Sequence, residues 1–337
     1  MPANLTPGYK KAEAAFRAAS EPGDRLTCLR DMLRELPKHK GTDHLRADIQ
    51  KRIKEMTADI TSAKKSGARG GPPTVIRPEG AAQIALLGAP NSGKSALHTR
   101  LTGAHSEAAP YPFATQFPQP GMHHVDDITV QLVDLPSISP LHPIPWIANA
   151  VQPADGALLV VDFNHPGCVE EVVQLHEILE ERRIVLTRVW PFDGQARTDD
   201  MDPFTIVIPT LIVATKSDLV DDIPANIEVL RELTGYLYPA LPASAETGEG
   251  LEAIGPWLLQ MLEVARVYTK IPGKPPDMSR PFTVRRGASV HDVAVLVHKD
   301  IAAGLKYARM WRKSGFEGVH VGPEHSVEDG DVLELHI

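Results

Sequence analysis

Apolar positions recur at three- and four-residue steps through the first 65 residues. Leu26, Leu29, Leu33 and Leu36 share one helical face, and Leu45, Ile49, Ile53, Met56 and Ile60 share another, so residues 1–65 are expected to be helical. The Gly- and Pro-rich "SGARGGPPTVIRPEG" ends that periodicity and reads as a linker over 66–80. From Gln83 the pattern changes to short, nearly continuous apolar runs: "QIALLG", "ITVQLVDL", "GALLVVD" and "TLIVATK". Runs without a polar face suit strands of a sheet covered on both sides. Helical stretches lie among and after them, "CVEEVVQLHEILEERR" and "GLEAIGPWLLQMLEVARVY". The expected fold class is therefore α/β, a doubly wound and mostly parallel sheet over 81–268. A second linker is expected over 269–279. In residues 280–337, "PFTV" and "DVLELHI" bracket a helical "SVHDVAVLVHKDI" and an extended "LKYARMW", an order that fits a β-grasp, ubiquitin-like domain.

Composition narrows the function. A net charge of −8 excludes a chain built as a whole to coat nucleic acid, and no DNA specificity is expected. Residues 38–69 depart from that balance, with nine Lys/Arg against four Asp/Glu. A solvated helix face and a contact face for RNA or an acidic partner both account for it. The two cysteines, Cys28 and Cys168, read as buried thiols of a reducing compartment. No apolar run reaches the roughly 20 residues of a membrane span and the N-terminus shows no signal-peptide pattern, so a cytoplasmic protein without membrane contact is expected.

The chemistry starts at "GAPNSGKS", between an apolar strand and a helical "ALHTRLTG". G-x-x-x-x-G-K-S in this context is a phosphate-binding loop. Gly88 and Gly93 let the backbone curl until its N–H groups point at phosphate oxygens, and the following helix adds its positive end. Gly88, Ala89, Pro90, Asn91, Ser92, Gly93, Lys94, Ser95 and Ala96 form the expected cradle. Lys94 reaches the outer phosphates, Ser95 ligates Mg²⁺, and Asp134, closing the strand "ITVQLVDL", holds the same ion.

The base is read by "LIVATKSDL", which places Thr215, Lys216 and Asp218 just past another apolar strand. A carboxylate there accepts from guanine N1–H and the 2-amino group, and adenine would leave it desolvated and unpaired. "ASAETGEG" puts Ser244 and Ala245 in a turn whose backbone N–H can donate to guanine O6. GTP or GDP is the expected ligand, with an ATP-using P-loop enzyme the weaker alternative.

In order and interval these motifs resemble those of the Obg family of GTPases, and within it the developmentally regulated GTP-binding proteins. "LTGAHSEAAPYPFATQFPQPG" resembles that family's switch I, and "YTKIPGKPPDMSRPFTVRRGASVHDVAVLVHKDI" its entry into a C-terminal TGS domain. The basic "LRADIQKRIKEMTADITSAKKSG" is similar to the helical segment before its G domain. The resemblance implies that Thr115 senses Mg²⁺ and the γ-phosphate. It also implies GTP hydrolysis coupled to a ribosome or RNA, contacted through the basic helix and the TGS-like domain. Lys94, Thr115 and Asn91 are the residues expected to carry hydrolysis. In related GTPases an Asn at the place of Asn91 helps to bind K⁺; tolerance of an unusual backbone conformation explains it as well.

Four departures stand out. Thr215 replaces the usual Asn, the stretch from Cys168 to Pro209 looks too short for the domain often inserted there, and the Gly-rich segment after the Asp-x-x-Gly motif is absent. Ser137 also stands where the switch II Gly belongs, followed by the apolar Ile138 and several prolines. Ser137 keeps its amide for the γ-phosphate but narrows the backbone's freedom, and Ile138 cannot orient a water. Two readings result: a slow, Mg²⁺-dependent GTPase switch, or a guanine-nucleotide-binding scaffold with little turnover.

Overall fold

Three helices open the chain: α1 (Pro7–Ala18), α2 (Pro22–Glu35) and α3 (Asp43–Lys65). The computed structural model describes residues 5–19, 22–37, 42–65, 74–104, 115–191, 204–312 and 315–337. Most of the expected first linker (66–73), residues 105–114 of the switch I segment and residues 192–203 lie outside them. Thr6 closes the first two helices on each other. Its hydroxyl accepts from the Tyr9 N–H at 3.1 Å and donates to the Glu35 carbonyl at 2.9 Å. Tyr9, Leu29, Met32 and Ile49 are fully buried between the helices, and Leu33, Leu45, Ile53 and Met56 pack at the margin. Phe204 completes this core, its ring edge-on to Phe16 at 6.0 Å and under the Arg52 guanidinium at 4.0 Å. The sequence places Phe204 inside the sheet domain. One aromatic among turn residues has no periodicity to reveal otherwise.

The second unit contains two sheets. The larger is built from β1 (Gln83–Leu87), β2 (Gln119–Val125), β3 (Ile128–Asp134), β4 (Gly156–Asp162), β5 (Ile184–Thr187), β6 (Ile206–Thr215) and β7 (Ala240–Pro242). Its order is β2-β3-β1-β4-β6-β5, with β7 also paired to β6. The pairs β1–β3, β1–β4, β4–β6 and β6–β7 are parallel, and β2 returns antiparallel to β3. Five helices accompany it: α4 (Lys94–Thr102), α5 (Ile147–Val151), α6 (Cys168–Glu181), α7 (Ile223–Thr234) and α8 (Leu251–Met261). β1 and β4 are buried along their whole length, as continuous apolar runs require. Leu86, Leu132, Leu158 and Val213 form one core with Ile254 and Leu258 of α8. Because the central strands are parallel, β1, β3, β4 and β6 all end at one edge of the sheet, where ligands of such folds bind.

The smaller sheet is formed by β8 (Val264–Thr269), β9 (Asp277–Arg285), β10 (Tyr307–Arg312), β11 (Phe316–Val321) and β12 (Asp331–His336), in the order β11-β10-β12-β8-β9. Helices α9 (Val290–Val297) and α10 (Lys299–Gly304) lie between β9 and β10 in the chain, and a reciprocal capping box of Ser289 and Asp292 starts α9. This is the β-grasp arrangement. Two expected boundaries move. β8 falls within residues assigned to the first sheet domain, and β9 begins inside the expected linker. "GLEAIGPWLLQMLEVARVY" reads as one helix, but the helix stops at Met261 and the β-branched "VARVYT" is a strand with Ala265 and Val267 in the small core.

The two sheets meet at the turn between β2 and β3. The Asp127 carboxylate accepts from the Tyr268 hydroxyl at 2.5 Å and the Arg266 guanidinium at 3.3 Å, while Arg266 also grips Asp329 at 2.7 Å. Arg285 and Asp155 add an ion pair at 2.9 Å. Among the described residues no helix is long and apolar enough to cross a membrane.

Candidate functional site

The loop from Gly88 to Gly93 joins β1 to α4 at the ligand edge of the sheet. Gly88 has no room for a side chain, since a Cβ there would sit 2.6 Å from the Val160 carbonyl oxygen. Gly93 (φ +92°) and Asn91 (φ +60°) both adopt left-handed backbone, which Asn tolerates better than most residues. The exposed Asn91 thus matches its conformational reading directly. Pro90 is half-buried, and Ala96 is exposed on the first turn of α4.

Lys94 folds back over the loop. Its ammonium donates to the carbonyls of Gly88 (3.2 Å) and Ala89 (3.1 Å) and to the Ser137 hydroxyl (3.0 Å). All three acceptors are neutral, and the side chain is only 4% exposed. Burial pulls its pKa down to about 8, against the opposing pull of the Asp134 charge. Beside it, the Ser95 hydroxyl donates to Asp134 Oδ2 at 2.6 Å. Thr115 Oγ1 lies 3.1 Å from Ser95 Oγ and 3.4 Å from Asp134 Oδ2. Two hydroxyls and a carboxylate within hydrogen-bonding distance make a hard, all-oxygen donor set that fits Mg²⁺.

The segment after β3 is fastened to the phosphate loop at two successive residues. Ser137 accepts from Lys94, and the Ile138 N–H donates to the Gly88 carbonyl at 3.1 Å while its side chain is buried. The hydroxyl that the sequence presents only as an obstacle to backbone motion is therefore a partner of the loop lysine.

At the other end of the site, Thr215 closes β6. Its Oγ1 lies 2.6 Å from the Ser92 carbonyl oxygen and 3.1 Å from that of Val161. The hydroxyl thus ties the base loop to the phosphate loop. Thr215→Val, which keeps the shape and removes the donor, is expected to cost about 1–3 kcal/mol of stability. Urea unfolding of the two proteins measures it, and an unchanged midpoint would refute the tie. Lys216 (φ +54°) pairs with Asp162 Oδ2 at 2.5 Å, and Asp218 is exposed on the short turn Ser217–Leu219. Ser244 is fully buried, its hydroxyl accepting from the Thr247 N–H at 3.0 Å, and the half-buried Ala245 follows it. The Ser217 N–H reaches the Ala243 carbonyl at 3.4 Å, so the two base loops are joined.

The residues predicted from the sequence thus fall into a phosphate cluster and a base cluster, bridged by Thr215. Asp162 is absent from the sequence reading. Its signal was present: like Asp134, it is an Asp closing an apolar parallel strand at the ligand edge.

Residues 83–189 match the family of 50S ribosome-binding GTPases, and residues 265–337 match the TGS domain. An uncharacterized GTP-binding protein of Methanocaldococcus jannaschii is 27% identical over 93% of this chain and 92% of its own. Developmentally-regulated G-protein 2 of Arabidopsis thaliana is 25% identical over 88% of this chain and 87% of its own. The chain is a homologue of the developmentally regulated GTP-binding proteins. Of the two family names suggested by the motifs, this one is the closer description, and Obg the looser. A crystal structure of a GTP binding protein from Pyrococcus horikoshii aligns with 75% of this chain and 99% of its own, at 17% identity and a TM-score of 0.49.

Proposed function

We propose that this homologue of GTP-binding proteins is a slow, Mg²⁺-dependent GTPase that acts as a ribosome- or RNA-associated switch. The convergence of Lys94, Ser95, Thr115 and Asp134 carries the reading, because these groups come from three separate stretches of chain and meet at one edge of the sheet. Gly88 to Ala96 cradle the phosphates, and Lys94 exchanges its neutral acceptors for phosphate oxygens. Ser95, Thr115 and Asp134 hold Mg²⁺, which when bound offsets charge on the outer phosphates. Asp218 reads guanine, Lys216 lies along the base under the control of Asp162, and the turn at Ser244 and Ala245 donates to O6. Ser137 senses the γ-phosphate through its amide, and Asn91 contributes to a K⁺ site. The basic α3 and the TGS domain are the candidate contacts for the ribosome or RNA.

A second reading has one observation in its favour. Ile138 is buried and its amide is occupied by Gly88, so the position that supplies a water-orienting group in a fast GTPase cannot do so here. That favours a nucleotide-binding scaffold with little turnover. Single-turnover GTP hydrolysis in KCl and in NaCl, with binding followed in parallel, separates the two. Hydrolysis stimulated by K⁺ supports the switch and the Asn91 site; tight binding without hydrolysis in either salt leaves the scaffold. ATP displacing bound GDP as well as GTP does would overturn the guanine assignment.

A further inference from the structure

The Asp-x-x-Gly pattern leaves no side chain at the position that Ser137 occupies. Ser137 lies outside the left-handed region of φ, so the backbone there does not call for a glycine. What the serine adds is a hydroxyl in a specific place. Its Oγ accepts from the Lys94 ammonium at 3.0 Å, and the same ammonium donates to the Gly88 and Ala89 carbonyls of the phosphate loop. The bond from the Ile138 N–H to Gly88 keeps the segment against that loop. Ser137 also shares the wall of a cavity of about 320 Å³ with Thr115, which is bonded to Ser95 and Asp134. The hydroxyl thus stands beside the loop lysine, on a cavity that reaches the residues proposed to hold Mg²⁺.

A serine hydroxyl has one hydrogen to give and two lone pairs with which to accept. Here Lys94 takes a lone pair. Its charge turns the O–H away from itself and polarises it, which makes the hydroxyl a stronger donor. Among the described residues nothing accepts that hydrogen, nor the Ser137 N–H. One half-buried residue therefore carries two unengaged donors next to a buried ammonium. Donors grouped around a cation in this way suit the oxygens of a phosphate.

We propose that the Ser137 hydroxyl is a specificity-determining group that separates GTP from GDP, donating to a γ-phosphate oxygen while it accepts from Lys94. The proposal rests on the nucleotide site described under the proposed function and adds a side-chain contact to the amide contact given there. Lys94 cannot make this distinction alone, because a loop lysine serves both outer phosphates. A donor that only the γ-phosphate reaches can make it. A glycine in this position would leave the amide as the residue's single donor.

The test measures binding of GDP and of a non-hydrolysable GTP analogue, with an imido bridge between its outer phosphates, in the presence of Mg²⁺. Wild type is compared with Ser137→Ala, Ser137→Gly and Ser137→Thr. Ser137→Ala keeps the Cβ and removes the hydroxyl. It is expected to bind the analogue about 10- to 100-fold less tightly, the loss of one hydrogen bond to a charged group. Its GDP affinity should not change, which also reports that the site is folded. Ser137→Gly should show the same loss despite its freer backbone, and Ser137→Thr, which keeps a hydroxyl, should recover part of it. An unchanged ratio of analogue to GDP affinity in Ser137→Ala overturns the proposal. So does an equal loss for both nucleotides, which would make the hydroxyl a support for Lys94 and no more. A Ser137→Gly variant that binds the analogue as tightly as wild type overturns it too. A wild-type protein that binds neither nucleotide overturns the nucleotide site itself, and this role with it.

Discussion

Asp218→Ala is expected to lower affinity for GTP and GDP by about 100- to 10,000-fold and to abolish the preference for guanine over adenine. The carboxylate is exposed at the ligand edge, on a short turn joined through Ser217 to the Ala243 loop. Two charge-assisted hydrogen bonds to one base edge contribute about 1.5–3 kcal/mol each, and their loss gives that range. The phosphate cluster lies elsewhere in the site, so the variant should keep a weak, base-indifferent affinity for nucleoside triphosphates. Titration with GTP, GDP and ATP checks both halves. Retained discrimination against ATP would show that the base is read by other groups.

Lys94→Met should act in opposite directions on binding and on stability. Loss of the ammonium removes its bonds to the phosphates and is expected to weaken GTP binding by about 100-fold or more. Without nucleotide, the ammonium is a buried charge whose hydrogen-bond acceptors among the described residues are two carbonyls and a hydroxyl. An apolar side chain of similar length relieves that desolvation, so the nucleotide-free variant should be at least as stable as wild type. The pH dependence follows from the same burial. The folded pKa, about 8, lies below the usual value of 10.5, so between these limits the unfolded chain binds more protons than the folded one. Wild-type stability without nucleotide should therefore gain a rising contribution from Lys94 as pH increases from about 8 to about 10.5, and the Met variant should lack it. Denaturant midpoints across that range, with and without GDP, test the argument; parallel curves for the two proteins would contradict it.

The features legible in the sequence are those fixed by local backbone chemistry. The phosphate loop is recognisable because the curl around a phosphate demands glycines and a lysine at set intervals between a strand and a helix. Asp134, Thr215 and Asp218 are legible for a related reason, each standing where an apolar parallel strand ends. What stayed hidden depends on chain segments far apart. Lys216 and Asp162 are 54 positions apart, Thr215 and Ser92 are 123, and Tyr268 and Asp127 are 141. No periodicity records such pairings. The partnership of Ser137 with Lys94 is hidden by the same distance, and a position that looks like a broken motif turns out to be a contact. β8 is hidden by ambiguity of pattern: a short apolar strand directly after an apolar helix reads as more helix.

The Asp127 contact has a consequence of its own. β2 and β3 run side by side from Gln119 and Asp134 to the turn that holds Asp127, seven residues or roughly 20 Å of strand. At one end lie the groups proposed to sense the γ-phosphate. At the other, Tyr268 and Arg266 hold Asp127 against the C-terminal sheet. If exchange of GTP for GDP displaces this ribbon, the C-terminal sheet must follow or give up its hold on Asp127. Thermodynamic reciprocity then requires the converse: a partner that strains or relieves the contact at Asp127 changes the relative affinities for GTP and GDP by the same factor, without touching the nucleotide.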